Sequence, residues 1–341
     1  MSVINITVTG GAGRISYSLI PLILTGQIFG DRPISLRLLD VPQCEQKLHG
    51  VKLEIDDSNY SLLHELICTT NPEEAFKNAE VAILIGGFPR LPGMERKDLL
   101  LKNAENIRSQ AQALNSFASK NVKVLVVANP ANTNCLVALK TATNIPPQNF
   151  TCLTRLDEER LRGFILQNAR KQTDQAVTNK SLQNVFILGN HSTTQVAHIQ
   201  QGTLTLDPNN QLIPISTYYT HEGEYEALLR KVQHRGAEII QASQLSSALS
   251  AAQAIVKHLV DWIGVGSSQT TFSMGVYAQG NPYGITDELV FSFPCVRAED
   301  VAGGYVIMDS LDFQHTTVAG LIKKTEEELL EEKGQIEEYL Q

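Results

Sequence analysis

The sequence predicts an α/β protein in which a doubly wound parallel sheet is followed by a second, α+β domain. Over the first 150 residues, short β-rich runs alternate with longer helical patterns. Runs such as AILIG (82–86) and, apart from Lys123, VKVLVVA (122–128) are apolar, as strands covered by helices on both faces are. The 341-residue length corresponds to about two domains of roughly 150 residues each. A break falls near residue 150, after Pro146-Pro147-Gln148-Asn149.

In chain order, strands are predicted at Ile4–Thr9, Ser35–Asp40, Glu65–Thr69, Glu80–Ile85 and Val122–Ala128. Helices fall between them at Ile15–Leu24, Leu48–Asp56 and Arg96–Ala118. The βαβα order implies parallel strands with right-handed crossovers. Beyond the break, a helix is expected from Asp157 to about Lys171, and β-like runs at Asn184–Leu188, Gly202–Leu206, Phe272–Tyr277 and Glu288–Phe293. Helices near 222–242 and 246–262 follow the same reading, and a charged helix from Val318 to Leu340 closes the second domain. The expected domains are thus 1–153 and 154–341.

Composition removes several function classes. Lys plus Arg is 28 against 36 Asp plus Glu, a net charge of −8, which repels polyphosphate and argues against nucleic-acid binding. A few local arginines can still hold a small anion. The five cysteines (Cys44, Cys68, Cys135, Cys152, Cys295) form no C-x-x-C pair, which argues against a disulfide framework or a zinc site and fits a reducing compartment. No apolar run approaches the roughly 18 residues of a membrane span. No basic leader or cleavage site is evident before Val3, so a cytoplasmic protein with no metal and no membrane contact is expected.

The first turn reads Thr9-Gly10-Gly11-Ala12-Gly13-Arg14-Ile15-Ser16. It leaves an apolar strand and opens a helix, the setting in which glycines let a pyrophosphate approach backbone N–H groups. Ser16 stands where a small residue packs helix on strand. Alone, the motif also fits an ordinary strand–helix turn. The second strand ends at Asp40, a carboxylate suited to ribose hydroxyls and hostile to a 2′-phosphate. Asp40 alone reads equally as a solvated turn residue; with the glycine turn it predicts a Rossmann-type domain that takes NAD rather than NADP.

Four later segments carry the chemistry. Gly86-Gly87-Phe88-Pro89-Arg90-Leu91-Pro92-Gly93-Met94-Glu95-Arg96-Lys97 follows the fourth strand and suits a lid closing over an anion. Asn129-Pro130-Ala131-Asn132-Thr133-Asn134 follows the fifth. Leu156-Asp157-Glu158-Glu159-Arg160 and Gly189-Asn190-His191-Ser192-Thr193 complete the set. Asp157 and Arg160 share a helix face at i, i+3, which could mean no more than a surface ion pair.

Together TGGAG, PRLPGMERKDLL, NPANTNC, CLTRLD, GNHS and NPYG…FSFPC, in register from Val3 to about Glu331, resemble the cytosolic-type malate dehydrogenase group of the lactate/malate dehydrogenase superfamily. The resemblance implies an α+β catalytic domain after the Rossmann-type domain and reversible hydride exchange between NAD and malate or oxaloacetate. It assigns His191 as proton donor and acceptor, held by Asp157. Arg160 would clamp the C1 carboxylate, Arg96 would polarise the carbonyl, and Arg90 would bind the distal carboxylate. Asn129 would touch substrate and nicotinamide, with Ser246 and Ser273 as lesser candidates near the ring. Cofactor contacts would come from Gly10, Gly11, Gly13, Arg14, Ile15, Asp40, Gly86 and Gly87, and the implied assembly is a homodimer.

The chain departs from the group's pattern at Leu91, Leu188 and Arg14. A lactate or other 2-hydroxy acid dehydrogenase is the alternative that Arg90 decides. A non-catalytic NAD-binding relative should have lost one of His191, Asp157, Arg96 or Arg160, and all four are present.

Overall fold

A computed structural model describes residues 2–88, 96–172, 177, 181–206, 211–221, 223–266 and 270–340. Its spine is one nine-stranded sheet. The N-terminal strands are β1 (Ile4–Thr9), β2 (Ile34–Leu39), β3 (Leu63–Thr69), β4 (Val81–Leu84), β5 (Lys123–Val126) and β6 (Phe150–Cys152). They lie parallel in the order β3-β2-β1-β4-β5-β6. Helices α1 (Arg14–Leu24), α2 (Glu45–Ser58), α3 (Pro72–Phe76), α4 (Arg96–Phe117) and α5 (Ala131–Thr141) make the connections.

The all-apolar strands have the expected cause. In β4, Val81 and Ile83 join one core with Leu19 and Ile23 of α1, while Ala82 and Leu84 join a second core with Ile107 of α4 and Leu136 of α5. Alternate side chains of β4 therefore meet helices on opposite faces, which is why all four of its residues are apolar and buried. The short α3 escapes periodicity but has local chemistry: the Asn71 side chain accepts from the Glu73 N–H at 3.0 Å and Pro72 opens the helix.

The second half contributes α6 (Arg155–Gln172), β7 (Leu182–Gln183), β8 (Phe186–Leu188), β9 (Val196–His198), β10 (Thr203–Leu206), β11 (Gln211–Pro214), α7 (Glu224–Ser243) and α8 (Leu249–Ile263). It ends with β12 (Phe272–Tyr277), β13 (Val290–Arg297), β14 (Tyr305–Ile307) and α9 (Ala319–Gln335). Strands β12, β13 and β14 extend the large sheet antiparallel beyond β6. The break read near residue 150 is thus followed at once by the three-residue β6, through which one sheet runs from the first half into the second. Strand β13 also runs through Pro294 to Arg297, past the sequence expectation of Phe293.

At that seam Gly275 of β12 pairs with Cys152 of β6, and a Cβ on Gly275 would stand 2.1 Å from the Cys152 sulfur. Gly275→Ala is expected to destabilise the chain by about 1–3 kcal/mol through overpacking. Thermal unfolding should detect this, with Cys152→Ala in the same chain recovering much of the loss.

Candidate active site

The glycine turn is shaped by what surrounds it. Gly10 leaves β1 at φ +69°, and a Cβ there would lie 2.9 Å from the Gly86 Cα. One on Gly11 would lie 2.8 Å from the Leu38 Cβ, and one on Gly13 would lie 2.9 Å from the Gly10 carbonyl. The turn is backbone packed on backbone where β1 and β4 end together. The Gly86 N–H donates to Thr9 Oγ1 at 3.1 Å, and buried Ser16 donates to the Gly10 carbonyl at 2.7 Å. Gly87 packs beside Asn103 and Ala128, and Ile15 packs against the core under α1.

Asp40 sits where β2 meets this turn. Its Oδ2 accepts the Ala12 N–H at 2.9 Å and its Oδ1 the Val41 N–H at 2.8 Å. The α1 N-terminus has Gly13 at its cap and no acidic residue in its first turn, which leaves its amide dipole available to an anion. Arg14 reaches the Ser246 carbonyl at 3.0 Å. A thin turn, a helix N-terminus without a side-chain cap and an adjoining carboxylate fit the pyrophosphate and ribose of a dinucleotide.

The second cluster lies where α6 begins and β8 ends. Asp157 is fully buried. Its Oδ2 is hydrogen-bonded to His191 Nδ1, and its Oδ1 accepts from Arg160 Nη1 at 2.9 Å. Burial pushes the Asp157 carboxyl up, but His191 and Arg160 more than offset it and hold the group below the usual carboxylate range. The i, i+3 pair is therefore no surface pair. Arg160 also donates to Ser247 Oγ at 3.2 Å, and its buried Nε has no acceptor among the described residues. On α7, Gly236 faces the guanidinium, and a Cβ there would come within 3.8 Å of it.

His191 is held by its backbone as well. Its N–H donates to Asn132 Oδ1 at 2.9 Å, and the Asn132 amide donates to the Gly189 and Val290 carbonyls at 3.2 and 3.0 Å. Asn129 is exposed, and its carbonyl accepts from Asn103 Nδ2 at 2.8 Å; Asn103 Oδ1 also accepts the Phe88 N–H at 2.7 Å. Asn103, Asn132 and Ser247 are the additions to the sequence-based site. Asn132 was visible inside NPANTN, whereas nothing in the local sequence marks the other two.

Of the lesser candidates, Ser246 meets Arg14 through its carbonyl, while Ser247 is the residue that touches Arg160. Ser273 is fully buried, its hydroxyl accepting the Ile187 N–H at 2.8 Å. Arg90 and Leu91 lie outside the described residues, as does the side chain of Arg96, whose backbone starts α4. Among the described residues, no group of three or more His, Cys, Asp or Glu is arranged to hold a metal, and no helix is long and apolar enough to cross a membrane.

A dinucleotide cradle beside a carboxylate-held imidazole and an arginine with an unmet donor defines an NAD-dependent oxidoreductase acting on a small anion. The chain belongs to the lactate/malate dehydrogenase family. Residues 4–151 match that family's NAD binding domain and residues 154–340 its alpha/beta C-terminal domain. Probable malate dehydrogenase 3 of Dictyostelium discoideum is 44% identical, with 99% of this chain and 98% of that one covered. The cytoplasmic malate dehydrogenase of Homo sapiens is 44% identical over 86% of each chain. Among solved structures, malate dehydrogenase from Naegleria fowleri superimposes with a TM-score of 0.88 at 37% identity, covering 99% of both chains. Trichomonas vaginalis lactate dehydrogenase in complex with NADH and oxamate gives 0.90 at 30% identity over 99% of both.

Asp157→Asn should leave the fold intact and lower kcat by about 10²- to 10⁴-fold, the span of general acid–base catalysis. Stability provides an independent check. The native state keeps Asp157 ionised at pH values where the unfolded chain already binds a proton. Its contribution is therefore present at neutral pH and lost as pH falls below about 4. Melting temperature followed from pH 6 to 3 should fall less steeply in the Asn variant.

Proposed function

We propose that the chain is a malate dehydrogenase that interconverts (S)-malate and oxaloacetate, with His191 exchanging the proton. The observation that carries this reading is the buried Asp157 shared between His191 Nδ1 and Arg160. When bound, NAD supplies the acceptor for the hydride that leaves malate C2, and NADH returns it.

With Nδ1 turned to Asp157, the ring keeps Nε2 for the substrate. In oxidation Nε2 takes the hydroxyl proton, and in reduction it delivers a proton to the oxygen that becomes the hydroxyl. One proton moves per turnover, so no nucleophile is needed. Asp157 balances the positive charge the ring gains. Arg160, its guanidinium held by Asp157 and Ser247, pairs with the C1 carboxylate. Arg96 steadies charge developing on the carbonyl oxygen, and Arg90 pairs with the C4 carboxylate; both assignments rest on their places in PRLPGMER. Asn129 lines the junction between substrate and nicotinamide. Gly10, Gly11, Gly13, Arg14, Ile15, Gly86 and Gly87 bound the cofactor, and Asp40 selects the unphosphorylated ribose.

Leaving the second charge of a dicarboxylate unpaired in a closed pocket costs several kcal/mol, so one arginine can supply roughly a 10³-fold preference. Arg90→Leu is expected to collapse kcat/KM for oxaloacetate and raise pyruvate turnover relative to it, as followed by NADH oxidation. Unchanged oxaloacetate kinetics would remove Arg90 as the reader, and a wild-type preference for pyruvate would favour the lactate alternative.

The same reading includes a cytoplasmic homodimer. Tyr17 of α1, Leu53 of α2 and Leu249 of α8 are exposed, Leu249 at 81%. Helices α1 and α2 adjoin through a Tyr17–Glu54 hydrogen bond, and Arg14 of α1 reaches the Ser246 carbonyl just before α8. Burying these residues against a second copy would remove the apolar surface from water. Leu249→Glu should shift sedimentation from dimer toward monomer; a wild-type protein that sediments as a monomer would end this part of the reading.

A further inference from the structure

We infer that α9 positions the proton-exchanging histidine, acting through one face formed by Thr325, Glu328 and Glu332. The inference rests on the reading of His191 given above and extends it to the last helix of the chain, more than 130 residues away.

The loop carrying His191 is fixed on both sides of that residue. Before it, Gly189 adopts φ +90°, and a Cβ there would stand 2.3 Å from the Thr325 Cγ2. Helix and loop are therefore in van der Waals contact with no room to close further. The next residue, Asn190, is 1% exposed, and its N–H donates to Thr325 Oγ1 at 2.9 Å. Its side-chain amide donates to Glu328 Oε2 at 2.9 Å and reaches Glu332 Oε1 at 3.4 Å. After His191, the Ser192 hydroxyl donates to Glu328, and the Thr194 hydroxyl does so at 2.6 Å.

Glu332 is 3% exposed and also accepts from the Thr133 hydroxyl on α5. The neighbouring residue on that helix, Asn132, holds the His191 N–H at 2.9 Å. Residues 325, 328 and 332 recur at i, i+3 and i+7, so one helical face grips the loop and the helix that holds it. The His191 ring is hydrogen-bonded to Asp157, while these three residues grip the loop on either side of it, so they act as positioning residues. Buried donors pinned to carboxylates form stiff contacts, because any shift of the loop leaves a polar group unmet. Proton transfer in turn needs the ring placed to within a fraction of an ångström.

Thr325→Val and Thr325→Ser separate this role from simple packing. Val keeps the shape of Thr but removes the acceptor for the Asn190 N–H; Ser keeps the acceptor. In the Val variant, kcat for oxaloacetate reduction should fall about ten-fold or more, while the NADH Kd from fluorescence and the KM for oxaloacetate stay near wild type. The Ser variant should retain most of the rate.

Wild-type kcat in the Val variant would overturn the inference. So would equal loss in both variants, or a loss of kcat that tracks the NADH-binding fraction. His191→Gln serves as the control: if it retains the rate, the reading of His191 fails, and the inference falls with it.

Discussion

Asp157 is the constraint around which the second half of the chain is arranged. Removing a carboxylate from water costs several kcal/mol unless compensating charges and donors meet it. Here the compensation comes from Arg160, three residues along the same helix, and from His191 at the end of a strand that enters the site from elsewhere in the fold. Arg160 is fixed by helical geometry alone. His191 arrives only if β8, β13 and α5 are all in place, since Asn132 bridges the His191 N–H, the Gly189 carbonyl and the Val290 carbonyl. Formation of a sound ion pair at Asp157 is thus tied to tertiary packing.

The sheet explains why the two clusters face one another. Its order reverses between β1 and β4, and Gly10 meets Gly86 there, at the carboxyl ends of both strands. That crevice is where a parallel α/β sheet offers its ligand site. The antiparallel extension from β6 through β12 and β13 carries the second half on the same sheet, with Ser292 of β13 exchanging backbone hydrogen bonds with Gly189 just before Asn190 and His191. The seam at Cys152 and Gly275 therefore helps register the histidine against the glycine turn.

Much of this was legible in the sequence where local chemistry is self-sufficient. The glycine turn, Asp40 and the apolar strands each announce themselves within a few residues, because backbone clearance and two-sided burial impose their own patterns. Asp157 and Arg160 were legible as a helix-face pair, but their burial was not, since it depends on distant segments. Strands β6, β9, β11 and β14 have three or four residues each, too few for a period-2 signal, and their pairing is decided by neighbours. Asn103 looks like any polar residue on an amphipathic helix; only the approach of the 88 and 129 loops gives it work. Likewise the α9 glutamates read only as part of a charged helix closing the second domain, yet Glu332 is turned inward by Thr133 and Asn190.

The electrostatics of the site follow from sharing one arginine between two anions. Arg160 gives one donor to Asp157 and one to Ser247, and its Nε has no acceptor among the described residues. A substrate carboxylate that draws on this guanidinium takes part of the positive field that Asp157 relies on. Because Asp157 is buried, the loss is not made good by water, and the remaining partner able to supply positive charge is the His191 ring. On the proposed reading, anion binding at Arg160 and the His191–Asp157 hydrogen bond are therefore coupled, because both draw on the charge around one buried carboxylate. A net charge of −8 on the whole chain does not oppose this, because the interaction is decided within a few ångströms, inside the screening length of physiological salt.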